Sequence, residues 1–441
     1  MLVLFLVMVL SGLVGAGCGG DEPVRTDLPY ELYCDIASSD CQRRIYDSLA
    51  VMLDADGFEM PGIRTLSVEQ HEDEVRRTVH LLDLTGEDAA SRGLRLMGFI
   101  PAASESLAAA RIQFSIDRLQ AYYWRGSHVI TIIDRDYDEI DAQVLLAHEL
   151  IHAIQNRQFV LNEVSAEADT DDGVIAVRSV IEGDAEHNAF AWAYELLGYE
   201  PDAIDWDALH DDSQEALREH AADPERALID SAASFPYAYG FDYMTEVITT
   251  TGLPGRAAAF EAPPRTVFEV VTGPGAPPPS FDFPQVAHPS PLEGHSVELE
   301  SRFGAWYLYG VLRQLGLSHE AAWATMLGWR GDELAVYQNG DDVVAVWRVR
   351  FADESDGMAL EAEINAGGAA AARAAVLFGD EVFVFAAESQ ASLLAWVEQP
   401  LASMTASIVP KAARHRGGPV TPGNCLKLSG FSLPRHPRLL H

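Results

Sequence analysis

His148-Glu149-Leu150-Ile151-His152 places two imidazoles four residues apart with a carboxylate between them. On a helix of 3.6 residues per turn, positions i and i+4 stack on one face, so both rings can grip a single ion. Glu149 then projects beside them, placed to hold and deprotonate a water that the metal activates. The chemistry implied is metal-assisted hydrolysis, with zinc as the expected ion. Leu145, Leu146, Ala147, Leu150, Ile151, Ala153 and Ile154 surround the motif without a charge, as a buried site helix requires.

A catalytic zinc needs a third protein ligand and an open fourth position. His152 is followed by Ala153-Ile154-Gln155-Asn156-Arg157-Gln158, which excludes a third histidine at the H-x-x-G-x-x-H spacing. Glu182 is the leading candidate, thirty residues on, in a helix-like segment with Val177, Val180 and Ile181 as apolar partners. Glu186 or Asp184 is the alternative, and Glu163, Glu167, Asp169, Asp171 and Asp172 add further acids nearby. Glu186, one turn after Glu182, also suits a hydrogen bond from a liganding histidine that would fix its tautomer. His187 beside it reads as a surface residue more readily than as a ligand. The donor expected for a tetrahedral oxyanion is Tyr237 or Tyr239, in Phe235-Pro236-Tyr237-Ala238-Tyr239-Gly240. Tyrosines beside Pro and Gly also serve as core or turn residues, and Trp329 and Trp347 read as core anchors.

The elements that must position these groups follow from periodicity. Helical patterns cover residues 43–53, 69–82, 104–123, 142–159 and 173–197, with a helical pair at 303–315 and 318–327. Strands are predicted at 63–68 and 128–133, the latter dense in β-branched residues. Residues 335–351 alternate like a hairpin around Asn339-Gly340, and 376–386 do so around Gly379-Asp380. Nine prolines between 261 and 292 predict a linker or an irregular wrap. The fold class expected is α+β.

The motif set resembles the thermolysin-type, or gluzincin, metallopeptidases, and more closely a group of bacterial exported metallopeptidases. Matching segments are Leu96-Met97-Gly98-Phe99-Ile100-Pro101, the HELIHAIQNRQF run from His148 to Phe159, and Arg178-Ser179-Val180-Ile181-Glu182-Gly183-Asp184-Ala185. Further matches are the FPYAYG run, Gly328-Trp329-Arg330-Gly331-Asp332 and Val346-Trp347-Arg348. The resemblance spans about residues 90–365. It implies a zincin-like domain, with a small sheet whose edge strand is 128–133 packed on the active-site helix. It implies peptide hydrolysis, with zinc held by His148, His152 and Glu182 and a protein or peptide as substrate. Where relatives carry a Leu-His-Pro-like segment, this chain has Val270-Val271-Thr272-Gly273-Pro274, so a histidine's role there is empty or moved, with His288 a candidate. That departure keeps open a second reading, a catalytically inactive zincin-fold surface lipoprotein that binds a partner.

Composition bounds the rest. With 30 Lys+Arg against 67 Asp+Glu, the formal charge of −37 argues against nucleic acid and against anionic membrane surfaces as partners. Residues 1–17 read as a signal peptide. Gly15-Ala16-Gly17-Cys18 resembles a bacterial lipoprotein cleavage site, although Gly15 stands where Leu is usual, and makes Cys18 the expected lipid-bearing residue. Export to the cell envelope follows, with membrane attachment only through that anchor. Outside the cytoplasm, Cys34 and Cys41 close a short loop and are expected to pair. The expected organisation is a tether at 18–30, an N-terminal α/β region at 31–95 and a metallopeptidase domain at 96–260. A Pro-rich linker at 261–300, a C-terminal α+β region at 301–410 and a disordered basic tail at 411–441 complete it. The tail holds six of the 30 Lys+Arg and no Asp or Glu.

Overall fold

In the computed structural model, the residues described are 34–398, except 82–87, 102–106, 136, 138, 167, 277–278, 280–290 and 367–371. The expected signal peptide, Cys18, His288 and the basic tail lie outside the described residues. Helix α1 (Ser39–Met52) follows Cys34, which is disulfide-bonded to Cys41 with a Cα–Cα distance of 5.5 Å. Strand β1 (Gly62–Ser67) and helices α2 (Val68–Leu81), α3 (Ala89–Met97) and α4 (Leu107–Arg118) lead to β2 (Ala121–Trp124) and β3 (Val129–Asp134). The helix expected over 104–123 therefore stops early. Tyr122, Tyr123 and Trp124 continue as strand, because aromatic side chains suit a pleated, half-buried surface and pair here with Thr131, Ile130 and Val129.

These strands form a three-stranded sheet in the order β1-β3-β2. β3 is thus the central strand, not the edge: β1 pairs with it in parallel and β2 antiparallel. Ile130, Thr131, Ile132 and Ile133 are all buried, as a strand covered on both faces requires. β2 is an outer strand and lies beside α5 (Glu139–Phe159), the helix that carries the histidines.

Helix α6 (Leu161–Ala166) turns the chain into α7 (Asp171–Leu196), capped by the Thr170 hydroxyl on the Gly173 amide at 3.1 Å. Every residue of α7 from Ile175 to Ala189 is buried, so that stretch has no solvent face. Its polar residues Arg178, Ser179, Glu182, Asp184, Glu186, His187 and Asn188 must therefore find partners in the protein or cost stability. Helices α8 (Trp206–Ala222) and α9 (Leu228–Glu261) follow where Pro236, Gly240, Gly252 and Pro254 obscure the periodicity. α9 kinks at Gly252, whose φ of 64° and ψ of −157° are non-helical. α7 and α9 cross backbone to backbone. A Cβ on Gly183 would sit 2.0 Å from the Gly240 carbonyl oxygen, and one on Gly240 would sit 2.5 Å from the Ser179 oxygen.

The stretch expected to be a linker contains α10 (Val267–Thr272), whose Val267, Phe268 and Val270 are buried, and β4 (Ser296–Ser301). Thr266 caps α10 at 3.2 Å from the Glu269 amide, a local signal strong enough to start a helix among prolines. Helices α11 (Ala305–Gln314) and α12 (His319–Leu327) precede the hairpin β5 (Trp329–Asn339) and β6 (Asp342–Phe351). Helix α13 (Glu354–Ala366) and the hairpin β7 (Ala372–Phe378) and β8 (Glu381–Ala387) complete an antiparallel sheet in the order β4-β5-β6-β8-β7. One apolar cluster runs from Ala89 and Phe99 through Phe235 and Trp306 to Trp347 and Val384. The regions expected at 96–260 and 301–410 thus share a core rather than meeting across a linker. The fold is mixed helix and sheet, α+β.

Candidate metal centre

His148 and His152 project from one face of α5, with ring centroids 4.6 Å apart and planes at 85°. Glu182 meets them from α7: its Oε2 lies 3.0 Å from His152 Nε2 and 3.5 Å from His148 Nε2. One ligand atom from each residue lies within 4.8 Å of the others, and all three residues are buried. This group could hold a metal ion. Two donors bound at about 2.05 Å to a tetrahedral ion stand roughly 3.4 Å apart, and 3.0 and 3.5 Å bracket that spacing. Among the described residues, neither ring nitrogen of His148 has a hydrogen-bond partner, although both are buried. A buried donor or acceptor left so is costly, and a cation at the group would satisfy Nε2, the nitrogen that faces Glu182.

Electrostatics within the site divide the residues. Burial lowers the His148 pKa to about 4, keeping its ring neutral and ready to donate a lone pair. Burial also opposes a charge on His152, yet the Glu182 carboxylate beside it lifts that pKa to about 9. Glu182 itself resists burial because His152, His148 and Arg178 hold its carboxyl well below the usual range. Glu149 behaves in the opposite way. Burial pushes its carboxyl up to about 8, and the Tyr123 backbone approaches from β2 without closing a hydrogen bond of normal geometry. Both Glu149 oxygens are buried and, among the described residues, unpartnered.

Of the alternative third ligands, Asp184 points elsewhere: its Oδ1 lies 2.7 Å from Arg256 Nε. Glu186 Oε1 is 3.8 Å from His148 Nδ1, a neighbour at ion-pair range rather than a hydrogen-bond acceptor. Burial and the Glu182 charge raise the Glu186 pKa to about 8. His187 is buried, not a surface residue; its Nδ1 is 2.9 Å from Thr245 Oγ1, which His210 Nε2 reaches at 3.2 Å. Tyr237 stacks on His148 at 6.2 Å, and its hydroxyl accepts from Arg178 Nη2 at 3.4 Å. Tyr239 is not at the site. It packs with Phe235, Trp306 and Trp323, because residues two apart on a helix point to nearly opposite sides.

A family described as Domain of unknown function (DUF8575) matches residues 295–407. No curated protein and no solved structure matches the chain. The matched span holds the five-stranded sheet and α11 to α13, and it lies outside α5 and α7, which carry His148, His152 and Glu182. Trp329 and Trp347 sit within it as buried core residues, as expected.

Two contributors to the site have no motif of their own. Arg178 is one helical turn before Glu182 and donates from Nη2 to Glu182 Oε1 at 3.4 Å as well as to Tyr237. Gln155 is one turn after His152, and its Oε1 lies 2.8 Å from His152 Nδ1. Both lie in segments that carry the resemblance, and the i+3 and i−4 spacings from His152 and Glu182 are the signals of their roles.

Proposed function

We propose that this chain is an exported zinc metallopeptidase with a zincin-like site, in which His148, His152 and Glu182 hold the ion. The observation that carries the reading is Glu149. An ionisable carboxyl is buried without a partner, with its pKa pushed up to about 8, directly beside a three-donor group whose His148 nitrogens are equally unpartnered. A zinc ion held there would polarise a carbonyl and make a water acidic near neutrality. The charge of an ion beside it would bring the Glu149 pKa down again, so that Glu149 would accept a proton from the water and return it to the leaving amine. The Tyr237 hydroxyl, held by Arg178, is the donor for the developing oxyanion. β2 is an outer strand whose Tyr123 backbone faces Glu149, so an extended peptide added along that edge would bring its carbonyl to the site. The substrate is accordingly a protein or peptide, and a signal peptide at residues 1–17 with Cys18 as the lipid-bearing residue supports a location in the cell envelope.

The test is hydrolysis of unfolded casein and of peptide libraries by wild type and by Glu149→Gln. We expect turnover by wild type and a loss of about 10²–10⁴-fold in the variant, with metal retained. No cleavage by wild type under any metal loading would sink the reading. One observation favours the second reading, an inactive binding protein. His148, Glu149, His152 and Glu182 are each at most 2% exposed, so substrate entry requires an opening motion.

A further inference from the structure

Behind the ligand group lies a chain of buried polar contacts that crosses three helices. We infer that Gln155 is a positioning residue for His152, and that the Asp184–Arg256 pair is the anchor that fixes Gln155. The inference rests on the reading of His152 as a ligand.

The geometry determines the orientation of the amide. Gln155 Nε2 lies 2.8 Å from the Ile181 carbonyl oxygen and 2.8 Å from Asp184 Oδ2. Both of those atoms accept only, so the amide nitrogen must face them and the amide oxygen must face His152. A carbonyl oxygen also accepts only, so His152 Nδ1, at 2.8 Å, carries a hydrogen and donates it. With Nδ1 committed to Gln155, Nε2 is the nitrogen that faces Glu182 Oε2 and the ligand group; in the metal-free chain it donates a hydrogen to that carboxylate, and it is the nitrogen whose lone pair an ion would take.

Asp184 could not hold this arrangement by itself. Arg256 from α9 grips it through two bonds, Nε to Oδ1 at 2.7 Å and Nη2 to Oδ2 at 2.9 Å. Asn188 Nδ2 adds a bond to Oδ1 at 2.9 Å. The guanidinium is fixed in turn by Gln158 Oε1 at 2.7 Å and lies near the rings of Phe159 and Phe260, at 4.9 and 5.7 Å from their centroids. Gln155, Asp184 and Arg256 are at most 2% exposed, so water does not compete for these bonds. An amide in this position orients the imidazole without adding a further negative charge beside Glu149 and Glu182. It does for His152 what a carboxylate partner does in many metal sites.

The experiment uses the full chain, with Zn²⁺ in competition with a chromophoric chelator and ¹⁵N spectra of the histidine rings in the metal-free protein. Wild type should show a slowly exchanging proton on His152 Nδ1. Gln155→Met, which keeps the volume and removes the acceptor, should lose that proton and bind Zn²⁺ about 10–100-fold more weakly. An unchanged zinc affinity in Gln155→Met, or a wild-type His152 without a proton on Nδ1, would overturn the inference. The wild-type spectrum decides the matter if the variant does not fold. If wild type takes up no zinc, the metallopeptidase reading fails, while the Nδ1 proton still tests the positioning by Gln155.

Discussion

Asp332 on β5 and Glu149 on α5 are both carboxyls at 1% exposure, in opposite halves of the molecule, and they are treated in opposite ways. Asp332 accepts three hydrogen bonds, from the Phe303 amide at 3.0 Å, the Gly304 amide at 2.8 Å and Trp347 Nε1 at 2.9 Å. Glu149 accepts none of normal geometry. Burial raises the pKa of both, but at Asp332 the three donors oppose that rise. The C-terminal sheet uses its buried carboxylate to lock a loop to a strand, and all its bonds are spent on the fold. The site helix keeps a carboxylate whose bonds are unspent, at a cost to stability of roughly 1–3 kcal/mol for such a group. A polar group in the core that the fold does not use is a candidate for chemistry.

That contrast can be broken from either side. The largest effect is expected where a satisfied network loses a charge. Asp184→Ala would leave Arg256 buried and unpaired, and urea unfolding should show a loss of about 3–5 kcal/mol. Removing the unspent carboxyl should act in the other direction. Glu149→Leu in the metal-free chain should be more stable than wild type at pH 8.

The pH dependence of that gain follows from the raised pKa. The native state keeps the Glu149 proton up to about pH 8, whereas an unfolded glutamate releases it near pH 4.3. As pH rises between those values the unfolded chain is increasingly favoured, so the wild-type penalty grows and the advantage of the variant widens. Below about pH 4.3 the two proteins should converge in this contribution. Stability curves measured at pH 5, 6.5 and 8 would show a widening gap; a gap independent of pH would contradict the assignment. The smallest effect is expected at Asp332. Trp347→Phe removes one of its three donors and should cost about 1 kcal/mol, since the backbone amides remain.

The parts of the site legible in the sequence are those set by local spacing. The i,i+4 histidines on a helix without Gly or Pro, the glutamate on a second helix and the short Cys34–Cys41 loop all depend on near neighbours. The two hairpins announce themselves through Gly340 and Gly379, both at φ near 60°. What stayed hidden depends on contacts between distant segments. α9 carries Pro and Gly, which read as breakers, yet Gly240 is there because the Ser179 backbone of α7 passes against it. Arg256 reaches Asp184 across 72 residues, and no periodicity marks such a pair. β2 merged with the preceding helix because three aromatic residues fit either an amphipathic helix or a half-buried strand, and only the pairing with β3 decides.

The measurement that tests the central claim most directly is metal content, by elemental mass spectrometry, of the full chain purified without chelator, alongside His148→Ala and Glu182→Ala. The account predicts close to one zinc per wild-type chain and none retained by either variant. A wild-type chain that carries no zinc and takes up none on addition would contradict it, and His148 and Glu149 would then be buried polar groups with no ion to explain them.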